Sequence, residues 1–124
     1  MRLDDVSGQV VDSAIKVHSA LGPGLLEGAY QACLAHELRS RGLRVRLQVP
    51  LPVIYEGVRI SVGYRVDLLV EECVVVELKA VAKLMPVHHA QLLSYLKLSG
   101  HRVGLLLNFH VQHMKDGIKR IMNG

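Results

Sequence analysis

Two carboxylates and a lysine stand out in the chain: Asp67, Glu77 and Lys79. They are carried by the two segments with the strongest strand character, Tyr64 to Val70 and Val74 to Leu78, which are joined only by Glu71, Glu72 and Cys73. So short a connection predicts a hairpin. Pairing Val70 with Val74 sets Asp67 opposite Glu77, and residues opposed on one sheet face lie roughly 5 Å apart at Cβ. Lys79 returns to the face of Glu77 because strand side chains alternate. The other face carries Val66, Leu68 and Val70 with Val74, Val76 and Leu78, a plain core face. Two opposed carboxylates raise each other's proton affinity. A hard divalent cation, Mg²⁺ or Mn²⁺ rather than zinc, relieves that conflict. Such a cation holds a phosphate oxygen and acidifies a bound water, while a lysine beside it orients the water or stabilises charge on the phosphate. The trio is what metal-assisted phosphodiester hydrolysis needs.

The plainer reading is that Asp, Glu and Lys form the solvated face of an amphipathic hairpin. Three features weigh against it. Glu77 interrupts Val74-Val75-Val76-Glu77-Leu78, a strand otherwise apolar on both faces, where a carboxylate is costly without a partner. Gln91 and Tyr95 are spaced i, i+4 on the next helix, and Glu27 and Tyr30 are spaced i, i+3 on an earlier one. Tyr30, His18 and His88 are the candidates for substrate contact. His18 is placed either to line a cleft near Glu27 or to serve as a buried structural histidine. His88 is placed either to approach a phosphate or to cap its helix. Zinc is not indicated, because His110/His113 and Cys33/His36 have ligand-like spacing but no second pair. No nucleophilic Ser/His/Asp or Cys/His set is readable. Gly22-Pro23-Gly24 lacks the Lys-Ser/Thr of a nucleotide loop. Arg39, Arg41, Arg44 and Arg46 form a basic stretch, with Lys79 and Lys83 nearer the proposed site; the stretch reads equally as a phosphate track or a solvated surface.

The elements that must position these residues follow from periodicity. Val6, Val10, Ala14, Val17 and Leu21 predict a helix over 6–21, with Asp4 or Asp5 as its cap. After the Gly-Pro-Gly break, a second helix is expected over about 25–41, stopped by Gly42. Residues 43–49 alternate as a half-buried strand that ends at Pro50 and Pro52. Residues 53–62 form a hairpin turning at Glu56-Gly57. Beyond the central hairpin, Pro86 opens a helix to about Leu98, and 103–109 reads as a strand buried on both faces. A short helix over about 115–121 is expected to close the chain. The order α-α-β-β-β-β-α-β-α describes one α/β domain with a mixed sheet.

The chain has 124 residues and half of them are hydrophobic, enough for one core in one domain. Aromatic residues are only 4%, which argues against base-stacking platforms. Net charge is +4 with a pI near 9.3, compatible with a polyanionic partner without requiring one. Cys33 and Cys73 read as reduced thiols. No signal-peptide pattern opens the chain and no apolar run approaches a membrane span, so a cytoplasmic protein without membrane contact is expected.

Gly24-Leu25-Leu26-Glu27-Gly28-Ala29-Tyr30 resembles the signature of the GxxExxY protein family. Val66-Asp67, ten residues before Glu77-Leu78-Lys79, resembles the core of the PD-(D/E)xK superfamily, and Gln91-Leu92-Leu93-Ser94-Tyr95 resembles the QxxxY element of its exonuclease-like members. The similarity runs from Val17-His18 through Leu105 to Phe109 and on to Lys115-Asp116-Gly117-Ile118. Val66 stands where the superfamily name has proline. The resemblance implies a restriction-endonuclease-like core, with a mixed central sheet flanked by helices. It implies that Glu27, Asp67 and Glu77 bind Mg²⁺ or Mn²⁺, that Lys79 is the catalytic lysine, and that Gln91 and Tyr95 position substrate or metal. The implied partner is nucleic acid, DNA first, with a homodimer or an accessory protein partner compatible with so short a chain. The implied activity is a metal-dependent nuclease or nuclease-like phosphodiesterase. Two rivals remain: a binding module that keeps the fold without turnover, and an enzyme using the same acids on another phosphate-containing substrate.

Overall fold

The computed structural model describes residues 1–124. Two helices come first, α1 (Leu3–Leu21) and α2 (Glu27–Ser40). Helix α1 buries Val6, Val10, Ala14 and Val17 of the stripe that the periodicity marks, while Leu21 at its end is exposed. Helix α2 buries Tyr30, Leu34 and Leu38 and leaves Ala29 and Cys33, which share their spacing, exposed, as is Leu26 just before it. Asp4 and Asp5 lie inside the first turn of α1, after an Arg2 N-cap, where they complement the helix dipole and do not cap it.

Five strands form the main sheet, β1 (Val45–Pro50), β4 (Arg65–Val70), β5 (Val74–Lys79), β6 (Val103–Asn108) and β7 (Ile118–Met122), in the order β1-β4-β5-β6-β7. Only the β5–β6 pair is parallel. Its crossover carries α3 (Pro86–Ser99). The residues between β1 and β4 make a separate two-stranded hairpin, β2 (Val53–Tyr55) and β3 (Val58–Ile60), which turns at Glu56 and Gly57, both left-handed. Helices α1 and α2 cover one sheet face, packing on Leu68, Val70, Val76, Leu105 and Leu107. Helix α3 covers the other, where Leu92, Tyr95 and Leu96 meet Leu69, Val75 and Leu106. Burial from both sides is why 103–109 is apolar without interruption. No helix is long and apolar enough to cross a membrane.

The segment expected to be a closing helix is instead a short 3-10 turn (Met114–Gly117) leading into β7, antiparallel to β6. Ile118 and Ile121 are spaced like one helix face, but here they serve opposite sheet faces, Ile118 toward α1 and Ile121 toward α3. A strand with helices on both sides needs apolar residues of both parities, and β7 satisfies the outer backbone groups of β6 that a seven-residue helix would leave unpaired.

Gly117 makes this turn possible, because a Cβ there would sit 2.1 Å from the carbonyl oxygen of Asn108. Gly117→Ala is expected to lower stability by about 1–3 kcal/mol or more through forced backbone displacement. Gly8→Ala, in a helix with open space around it, is expected to stabilise by up to about 1 kcal/mol. Urea midpoints of the two variants, shifting in opposite directions, check this; an unchanged midpoint for Gly117→Ala contradicts it.

Candidate active site

The β4–β5 hairpin is closed by Glu71 and Glu72 in left-handed conformations, with Cys73 N–H donating to Val70 O at 3.1 Å. The register is Val70 opposite Val74, Leu69 opposite Val75 and Leu68 opposite Val76. The next step would pair Asp67 with Glu77, and there side chains replace the ladder. The Asp67 N–H donates to Glu77 Oε1 at 3.0 Å, and the Leu78 N–H donates to Asp67 Oδ2 at 2.9 Å. Each carboxylate thus occupies a main-chain donor of the neighbouring strand, which locks the two acids side by side.

Glu77 is only 5% exposed. Burial pushes its carboxyl up to about 8, with the Asp67 charge adding to the rise, while the Asp67 N–H and the Lys79 charge oppose it. Lys79 ends β5 half-buried, and its backbone is held by Phe109 N–H donating to Lys79 O at 2.9 Å. Glu27, at the first position of α2, is also raised, by burial first; Lys79 lowers it, Asp67 raises it and His88 lowers it. Glu27, Lys79 and His88 are thus near enough for their charges to be felt at the acidic pair or at one another.

Helix α3 forms the opposite wall. Tyr95 is 7% exposed, and its phenol is raised by burial and then by the charges of Glu77, Tyr64 and Asp67. Its ring lies 5.8 Å from that of Tyr64, tilted by 48°. Gln91 is half-buried one turn earlier. His88 closes the helix start, its Nδ1 accepting from Met85 N–H at 2.9 Å, which leaves Nε2 as the proton-bearing nitrogen.

Two further residues hold the site, and neither stood out in the sequence. Gln48, on β1 with a φ of 52°, donates through Nε2 to Gln31 Oε1 at 2.7 Å and to Asp67 Oδ1 at 3.3 Å. Past this residue β1 and β4 change sides, so Val49 and Val66 pack with the α3 cluster; Val66 does not join Leu68 and Val70 as alternation predicts. Asn108, 2% exposed and paired with Lys79 across β5–β6, accepts from Val81 N–H and His110 N–H and donates to Val81 O. It pins the chain leaving Lys79 toward α3. A buried Asn beside a buried run is the one signal that reading for trapped polar groups could have caught.

A family model described as the PD-(D/E)XK nuclease superfamily matches residues 4–121. The chain belongs to this superfamily. The crystal structure of LHK-Exo in complex with dAMP is similar over 95% of this chain and 83% of that one, at 13% identity and a TM-score of 0.48. Comparison with curated proteins gave no match.

PD-(D/E)XK nucleases typically use divalent metals, and the donor set here suits one. Asp67 and Glu77 offer hard oxygens, and the pair has a single lysine as nearby compensation, so a divalent cation would offset the burial and the repulsion that together hold the Glu77 proton. Glu27 is a third acid within electrostatic reach, largely open to solvent though partly enclosed around its carboxyl, and it does not join the pair in a three-group cluster.

Three other sequence candidates lie elsewhere. Tyr30 is fully buried and stacked on Phe109 at 4.5 Å; its hydroxyl donates to Gly22 O at 2.5 Å and accepts from Leu25 N–H at 3.1 Å. It braces the loop that leads to Glu27 and has no surface for substrate. His18 is 6% exposed, with Nε2 at 2.7 Å from Val111 O, which makes it the structural histidine of the two readings. Three arginines of the basic stretch have acidic partners, Arg41, Arg44 and Arg46 with Glu37, Glu71 and Glu72 at 2.9, 3.2 and 2.8 Å, while Arg39 donates to Val45 O at 2.8 Å. Tyr30→Phe is expected to cost about 1–3 kcal/mol by stranding the Gly22 carbonyl and the Leu25 N–H. Thermal melts check it, and a melting temperature equal to wild type contradicts it.

Proposed function

We propose that the chain is a metal-dependent nuclease that hydrolyses phosphodiester bonds, with DNA as its substrate, and that the Gly24–Tyr30 segment marks it as a GxxExxY-type member of its superfamily. The observation that carries this reading is the interlocked Asp67–Glu77 pair at the end of the hairpin, with Lys79 following on the same strand. Asp67 and Glu77 would hold Mg²⁺ or Mn²⁺, with Glu27 as the third acid. Bound there, the cation would supply charge for a phosphate oxygen and acidify a water. The Lys79 ammonium donates toward the attacked phosphate or the attacking water. Tyr95, kept protonated by burial and the neighbouring carboxylates, is a donor at neutral pH, and Gln91 offers an amide from the same helix wall. His88 presents its Nε2–H beside Glu27.

The deciding experiment incubates labelled single- and double-stranded DNA, and RNA, with the protein in Mg²⁺, in Mn²⁺ and in chelator. Cutting of DNA with either ion and none in chelator is the expected result; intact DNA with both ions would end the proposal. A second reading, a nucleic-acid-binding module that keeps the fold without turnover, is favoured by one observation: only two acids converge, with Glu27 apart. Salt-sensitive binding without cutting would select it.

A further inference from the structure

The chain has nine arginines, and most are engaged within the molecule. Arg39, Arg41, Arg44, Arg46 and Arg120 all have carbonyl or carboxylate partners. Arg59 and Arg65 have none, and both are exposed. They line one cavity of about 130 Å³ at the foot of the β2–β3 hairpin, together with Ser61, Tyr64 and the Pro50–Pro52 segment. No acidic side chain lines it.

The walls of this cavity are built. Pro50 and Pro52 have fixed φ, Leu51 between them is buried, and Leu51 N–H donates to Tyr64 O at 2.8 Å. Pro50 pairs with Arg65 across β1–β4. The cavity borders the α3 wall of the site through one of its residues. Tyr64 lines it and meets Tyr95, and Arg65 precedes Asp67 by two residues on β4, roughly 6.6 Å along the strand. That step is comparable to the separation of successive phosphates in a nucleic-acid strand. Arg2 and Arg102 are also free of ion pairs, but the cleft they line already holds a carboxylate, that of Asp4.

We infer that Arg59 and Arg65 form a phosphate subsite that holds a nucleic-acid backbone phosphate adjacent to the scissile one. Guanidinium forks suit this because they bind phosphate oxygens in paired hydrogen bonds, and two unpaired arginines in an acid-free cavity have no internal anion to satisfy them. The inference rests on the nuclease reading for its substrate, but the subsite needs only binding.

The test measures binding of a fluorescein-labelled DNA duplex, and of its single strand, by anisotropy in chelator across a salt series. Wild type, Arg59→Ala, Arg65→Ala, the double variant and Arg46→Ala are compared, with melting curves to confirm folding. The double variant is expected to bind at least about tenfold more weakly, and the slope of log affinity on log salt is expected to fall by about one per arginine removed. Arg65→Lys should retain the slope while losing part of the affinity, and Arg46→Ala should match wild type. A double variant with wild-type affinity and slope overturns the subsite, as does a wild type that binds neither DNA. Cleavage in Mg²⁺ or Mn²⁺ separates the two ideas. Cutting by wild type with an unaffected double variant leaves the nuclease standing without the subsite. Arginine-dependent binding with no cutting keeps the subsite and removes the nuclease.

Discussion

Melted in chelator, the protein loses stability as the pH rises from about 5 to about 9, and Glu77→Gln abolishes that loss. The unfolded Glu77 carboxyl titrates at 4.5, while in the folded chain burial and the Asp67 charge raise it to about 8. Between those values the unfolded chain has released a proton that the folded chain still holds. Unfolding therefore becomes easier with each step in pH. The favourable contribution is whole below 4.5 and is lost as the pH passes through 8. Because Glu77 is almost fully enclosed, the full window applies, and the loss is on the order of 4 kcal/mol. Glutamine imitates the protonated acid: its oxygen still accepts the Asp67 N–H, and its amide faces the Asp67 carboxylate without repulsion. The variant should be flat across the window and more stable than wild type at alkaline pH. Mg²⁺ should raise the wild-type melting temperature above pH 7 and leave Glu77→Gln almost unmoved, because the ion binds the ionised pair. Parallel pH profiles for the two proteins would refute the assignment of Glu77 as the strained group.

The second large effect concerns turnover. Lys79→Ala should lower kcat by roughly a hundred- to ten-thousandfold, the range for one positioned proton donor or charge stabiliser. KM for the oligonucleotide should change little, since the lost interaction belongs to the transition state. Folding should persist, because the Lys79 backbone is held by Phe109 and its strand pairing with Asn108. Asp67→Ala should abolish cutting as completely, but with a different signature. It strands the buried Leu78 N–H and releases Gln48 from its longer bond, yet it removes the charge that adds to the burial-driven rise of Glu77, so the alkaline loss of stability should shrink. Single-turnover rates paired with melts over pH distinguish the two variants. Wild-type rates in Lys79→Ala would remove the lysine from the mechanism.

The acidic pair was legible because it depends on short-range arithmetic. A three-residue connection and a period of two bring Asp67 beside Glu77 wherever the hairpin packs. Most of the α1 stripe, the start of α3 at Pro86 and the doubly buried β6 were legible for the same reason: each is a local pattern matched to a local geometry. The interlocking of the two carboxylates with main-chain donors was not. It arises where the β4–β5 ladder opens, beside a Gln48 on the neighbouring strand that reaches Asp67.

From its sequence alone, this protein determines a hairpin that presents two acids and a lysine, the helices that can cover it, and a chain pattern matching the PD-(D/E)XK superfamily. Tertiary structure decided which charges remain available. Arg44 and Arg46 meet acids more than twenty residues away, His18 meets Val111, and Tyr30 turns inward onto Phe109, while Arg59 and Arg65 stay unpaired. It also turned the closing segment into a strand, because β6 needed a partner along its outer edge. Periodicity reports the face a residue occupies within its own element. Whether that face meets solvent, a counter-charge or another strand is set by contacts between residues far apart in the chain.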